Sequence, residues 1–377
     1  MLEALKKDPF RLFFLVGWLF SIAGAFFWVA FKYNAINYYP VESHGQLMIG
    51  GFLVCFIMGF LMTAVPRFTE TNYVTGFELS LSTSIVGVLI WSGTVSNSEI
   101  FYDSVLGSLL FMIFYSGRRF LRRKSSPPDT FIFVGAALLM GVMGTFLIIE
   151  GGLVLFGKAL FFQGMVLGLI LGVGGRLVPG ILGWVEIVLA QRNRYENQES
   201  FLKAVPLENY LGVALFVMSF FAEFFLSPEL GRVMRALVVL YIALRYWRLP
   251  FLPPKKTVHT FLLWLSCWSV LIGTLAYCLY PSLNTLHLVY IGGFGLITMM
   301  VATRVTLAHG DLGLSLESKV FPLGVVGFCI LLAGVTRASV SVVPDSYVEH
   351  LNYSALTWIL GMLVWGLVFI PKMFQVK

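Results

Sequence analysis

Five histidines are the only imidazoles in this 377-residue chain, and two of them head long apolar runs. His44 opens "HGQLMIGGFLVCFIMGFLMTAVPRFTE", and His287 opens "HLVYIGGFGLITMMVATRVTLAHGD", which closes on His309 and Asp311. Ionisable groups inside membrane-length segments are functional by default. An imidazole placed there can ligate a metal or carry a proton. At about 100° per residue, Met48, Gly51, Cys55, Gly59 and Met62 fall on the helix face below His44. Ile291, Phe294, Thr298, Ala302 and Val305 fall below His287 in the same way. Two histidines on separate helices at one depth, each above a stripe with small residues, are what a b-type haem held between helices needs. The plainer reading of the same pattern is a helix cap or an interfacial side chain over glycines that serve packing. His287 and His309 are 22 residues apart, or about 33 Å at about 1.5 Å per residue, so one cofactor cannot touch both. The spacing therefore allows an outer set (His44, His287, His350) and an inner set (His259, His309).

A second constellation lies at the inner ends. "TAVPRF" carries Arg67, "GGRLVPG" carries Arg176, and "ATRVTLAHGD" carries Arg304. Three arginines beside Gly or Pro can gather an anion or neutralise carboxylates, or they are positive-inside anchors. Glu223 and Asp103 fit either a proton relay or an interface. "GVGGR" and "GGFG" are not dinucleotide loops, because no strand precedes them, and "GGLVLFGK" lacks Walker spacing.

The elements that position these residues follow from composition. Apolar residues make up 58% of the chain and charged residues only 12%, against about a quarter charged in soluble domains. This is an all-α polytopic membrane bundle, read as one integral membrane domain over residues 1–377. Its net charge of +7 sits in short clusters between apolar runs, so nucleic acid is not a partner and the lipid bilayer is. Cys55, Cys267, Cys278 and Cys329 all lie in apolar runs and form no zinc or disulfide pattern. No small-residue cleavage pattern follows the first run, which reads as an uncleaved helix. About 20 residues cross about 30 Å of hydrocarbon. That length gives twelve spans, centred near residues 22, 55, 86, 108, 140, 168, 217, 238, 268, 296, 328 and 362, with the third, fourth, seventh and eighth least defined in extent. With the N-terminus in the cytoplasm, twenty of the 26 Lys and Arg fall on the inner side. Lys32, Lys158, Arg232, Arg235 and Arg337 fall outside, and Arg176 lies within a span. The asymmetry places both termini in the cytoplasm and the protein in a cell inner membrane.

The segments "HGQLMIGGFLVCFIMGFLMTAVPRFT", "GGRLVPG" and "HLVYIGGFGLITMMVATRVTLAHGD" resemble the three signature segments of the NnrS family, bacterial membrane proteins that carry haem and copper and are linked to nitric oxide metabolism. The resemblance implies twelve spans, in agreement with the count above. Family positions carry over to Met48, Gly51, Gly59 through Pro66, Gly174, Gly175 and Arg176, and the late family histidines to His287 and His309. The family's His-x-His becomes His44-Gly45-Gln46 here. Glutamine is a poor ligand for copper or haem iron, so the departure implies a chain that keeps haem and lacks copper. The ligand placement on spans two and ten also looks like the low-spin haem site of haem-copper oxidases. Spans six and seven contain no histidine, however, which argues against oxygen reduction at a binuclear centre. The resemblance implies a role in nitric oxide response or denitrification, with nitric oxide or a related small molecule as ligand. The other readings of the same chain are a small-molecule or anion transporter and a non-catalytic assembly or protective factor.

Overall fold

The computed structural model describes residues 2–196, 204–309, 314–340 and 342–375. Among them stand twelve long helices: α1 (Phe10–Lys32), α2 (Val41–Thr69), α3 (Gly76–Thr94), α4 (Ser98–Leu121), α5 (Phe131–Glu150), α6 (Val154–Leu182), α7 (Leu207–Phe225), α8 (Pro228–Arg245), α9 (Val258–Leu279), α10 (Leu283–His309), α11 (Val320–Ser339) and α12 (Tyr347–Met373). Each coincides with one expected span. Eleven are long and apolar enough to cross a membrane. The exception, α8, carries Glu229, Arg232, Arg235 and Arg245 within its 18 residues. Helices are the solution here because lipid offers no partner for backbone N–H and C=O groups. Their starts are set by side chains that take up the free N–H groups of the first turn. Thr75 and Glu78 form a reciprocal cap on α3, Asn97 caps α4, and Ser227 caps α8 with Pro228 behind it.

Arg11, at the start of α1, donates to the Met373 carbonyl at the end of α12. Both termini therefore lie on one face, as an even number of crossings requires.

Three helices form the inside of the bundle. α2, α6 and α10 are 78%, 67% and 67% buried over their apolar windows, against 44% for α1, α5, α9 and α12. Each of the three contains a wide π-helical stretch in the half away from the termini: Gln46–Leu53, Ala159–Met165 and Leu288–Gly295. Such stretches are rare and concentrate at functional sites.

Two of the three inner helices also hold an internal proline. Proline removes the N–H that would serve the carbonyl four residues back. For Pro66 that carbonyl is Met62, and the Tyr115 hydroxyl of α4 donates to it at 2.8 Å. For Pro179 it is Gly175, and Gln191 Nε2 donates to it at 2.9 Å. Side chains thus replace the missing backbone donors. Tyr115→Phe is expected to leave the Met62 oxygen bare and to cost about 1–3 kcal/mol, read as a lower Tm in detergent. An unchanged Tm would show that the oxygen finds another donor. Next to Tyr115, the buried Arg119 holds Glu78 through two bonds of 2.9 Å, joining α3 to α4.

Candidate functional site

His44 lies in the first turn of α2, two residues before its π-helical stretch begins. Its Nδ1 is 2.9 Å from the Gly24 carbonyl of α1. His287 stands in a similar position on α10, with Nδ1 2.6 Å from the Leu283 carbonyl one turn earlier. A carbonyl oxygen only accepts, so each Nδ1 must carry the proton and donate. That fixes the tautomer and leaves each Nε2 with a free lone pair. The two rings have centroids 6.5 Å apart and planes within 19°. Two metal–imidazole bonds of about 2 Å, with about 1.15 Å from each nitrogen to its ring centre, would give about 6.3 Å.

Both histidines line one cavity of about 220 Å³, well beyond the about 10–15 Å³ that a single water requires on this measure. Its walls are mainly apolar and aromatic. Trp28 packs edge-on to His44, and Tyr290 edge-on to His287, each with centroids 5.7 Å apart. At the outer end the lining turns polar with Tyr39, Tyr347 and Arg337. The residues fit a haem: two imidazoles anchored at Nδ1 with near-parallel rings, a mainly apolar body and a polar rim.

Other residues singled out from the sequence fall in several places. Met48 lines the cavity. Gly51 does not. A Cβ there would come within 2.6 Å of the Phe20 ring, so the glycine serves close packing of α1 on α2 rather than clearing a cofactor face. Gln46 is also off the cavity and lies beside Tyr102, which bonds Glu42 at 2.9 Å. One residue is 100° on an α-helix, so position 46 looks about 200° away from position 44. Gln46→His is therefore expected to leave any spectrum of the cavity unchanged. A shifted haem spectrum in that variant would contradict this placement.

The inner arginines do not converge on one anion. Arg67 bonds Asp8 at 2.9 Å, and Asp8 also takes Arg11 at 3.0 Å and His309 Nδ1 at 2.9 Å. Burial alone would raise the Asp8 pKa, but the bonds from His309, Arg67 and Arg11 outweigh it and hold the carboxyl well below its ordinary range. Arg304 bonds a different carboxylate, Glu317, at 2.5 Å, which Lys255 shares at 2.6 Å. Burial again opposes the charge of Glu317, and Lys255 and Arg304 lower its pKa on balance. Arg176 sits over the Phe68 ring at 6.0 Å. Of the three readings open to these arginines, Arg67 and Arg304 take that of neutralising carboxylates. Asp311 lies outside the described residues. His309 is engaged with Asp8, far from the cavity. His259 is fully buried, with Nε2 2.7 Å from the Met300 carbonyl. His350 turns to Ser346 at 2.9 Å. Asp103 is exposed, and Glu223 pairs with the buried Arg235. Among the described residues, no three His, Cys, Asp or Glu side chains gather into a metal-binding group.

Sequence reading missed Arg337, Tyr39 and Tyr347 as site residues. In the sequence Arg337 counts only among the five outer-side charges. The signal available was its position inside the apolar run of α11 rather than beyond it.

Fold and cavity together define a multi-pass helical membrane protein with two imidazoles on one buried cavity. The chain belongs to the NnrS family, whose pattern (NnrS protein) matches residues 4–377. At the level of the family this is a membrane protein related to nitric oxide. No curated protein matched the chain.

Proposed function

We propose that this protein binds haem b between His44 and His287 and acts in nitric oxide response or denitrification, by metal-centred binding or redox chemistry, in the bacterial inner membrane. The observation that carries the reading is the imidazole pair: centroids 6.5 Å apart, planes within 19°, and both Nδ1 atoms held by carbonyls. Haem bound there would supply one-electron chemistry at iron.

The chain's own residues have definable tasks. The Gly24 and Leu283 carbonyls orient the rings and make each Nε2 a better donor. Trp28 and Tyr290 limit ring rotation by edge contact. The apolar walls keep water from the site, which strengthens polar interactions inside it. The small ligand of the reading is nitric oxide or a related molecule. The proposal does not extend to copper, for which position 46 offers no imidazole.

The test is an optical spectrum with haem assay on protein purified in mild detergent from haem-replete cells. A Soret band with low-spin features and about one haem per chain supports the reading, two axial imidazoles being a low-spin set. Protein that is folded and free of haem overturns it and returns the transporter or assembly reading. Orientation is checked separately by reporter fusions after Lys124 and after Lys256, both expected to read cytoplasmic. A periplasmic signal at either breaks the twelve-span topology.

A further inference from the structure

Arg337 is 6% exposed at the outer end of α11 and lines the same cavity as His44 and His287. Its hydrogen-bond partners are neutral, the Asn284 amide oxygen and the Tyr347 hydroxyl. No carboxylate pairs with it among the described residues. The other deeply buried arginines differ. Arg11 holds Asp8, Arg119 holds Glu78, Arg232 holds Glu229 and Arg235 holds Glu223. A buried guanidinium is always charged, and burying it unpaired is costly. Its fork of donors matches a carboxylate. Two further donors stand with it, the hydroxyls of Tyr39 and Tyr347, 3.2 Å apart on the same rim.

We propose that Arg337, with Tyr39 and Tyr347, is a carboxylate-binding rim that receives the propionate edge of the cavity's occupant. The proposal rests on the haem reading and adds a direction to it. Apart from the two imidazoles, Tyr290 and Ser354, the remaining lining is apolar, so the charge that Arg337 needs belongs to the edge of a larger, mainly apolar body. A haem seated this way has its propionates toward the outer face and its bare edge toward the membrane centre. A free small anion could satisfy Arg337 with the same chemistry, and the experiment separates the two sources.

Haem-free protein is titrated with haem and with haem dimethyl ester, which lacks the carboxylates, in wild type, Arg337→Gln and Arg337→Lys. Binding is followed by the Soret band, and the midpoint potential of the loaded forms is recorded. Wild type is expected to prefer the free acid by about tenfold or more, a single well-placed ion pair being enough for that. Arg337→Gln is expected to lose most of that preference while binding the ester as wild type does, and Arg337→Lys to keep part of it. The midpoint potential falls in Arg337→Gln, because removing a nearby cation favours the oxidised iron. Equal affinity for acid and ester in wild type overturns the proposal and leaves Arg337 to a free anion, without touching the haem reading. An unchanged preference in Arg337→Gln overturns it as well. If that variant does not fold, the wild-type comparison of acid and ester decides alone. Wild type that takes up neither compound removes the haem reading itself, and the rim with it.

Discussion

His44→Ala and His287→Ala are each expected to abolish or shift the low-spin spectrum proposed for the purified protein, whereas His259→Ala is expected to leave it intact. Loss of an orienting partner around a metal ligand already costs about 10–100-fold in affinity, and removal of the ligand itself is expected to exceed that. His44 and His287 are on different helices, so either change alone breaks the pair. His259 controls for a buried imidazole as such. It is fully buried and bonded to the Met300 carbonyl at 2.7 Å, so its loss is expected to lower Tm without touching the spectrum. Because protonation competes with iron for imidazole, haem loss on acidification should follow the same two residues. A normal spectrum in His44→Ala or His287→Ala would end the axial-pair assignment and leave that histidine an ordinary packed side chain.

The largest stability effect is expected at the Arg235–Glu223 pair. Arg235 is 1% exposed and Glu223 12% on the side chain. Gln163, from the π-helical stretch of α6, completes the set with a bond of 2.8 Å to Arg235. The pair holds α7 and α8 to the inner helix. Glu223→Ala strands a guanidinium among apolar groups and is expected to cost about 3–5 kcal/mol. The double change Glu223→Leu with Arg235→Met removes both charges and is expected to recover most of the loss. Tm in detergent reads both. The neighbouring Arg232 is also buried, but its partner Glu229 is 75% exposed on its side chain, so Glu229→Ala is expected to lower Tm less than Glu223→Ala does. Equal losses at Glu223 and Glu229 would place Arg235 in a solvated setting and refute the buried network.

Arg235 also shows where linear reasoning stopped. Composition and run length located all twelve helices, including α8, whose charges take it below the apolarity of the others. Counting charges put Arg232 and Arg235 together on the outer side. Their partners divide them, because positions three apart on α8 meet different neighbours: Arg235 meets Ser219, Glu223 and Gln163, and Arg232 the exposed Glu229. The same limit explains Gly51. Helical periodicity put it on the His44 face, but periodicity within one helix does not say which other helix covers that residue. Phe20 of α1 covers it.

The sequence by itself determined the helical class and the number of long helices, and it singled out the two histidines that line the cavity. These depend on local properties, namely run length, residue type and position along the chain. Tertiary structure decided which charges meet and what faces the imidazoles. Asp8 draws Arg11, Arg67 and His309 to one carboxylate, and Glu317 takes Arg304 and Lys255 to another. Arg337 lines the same cavity from α11, about fifty residues beyond His287 in sequence. Such contacts depend on the rotation of each helix about its axis, and that rotation is set by packing among neighbours, which no single apolar run records.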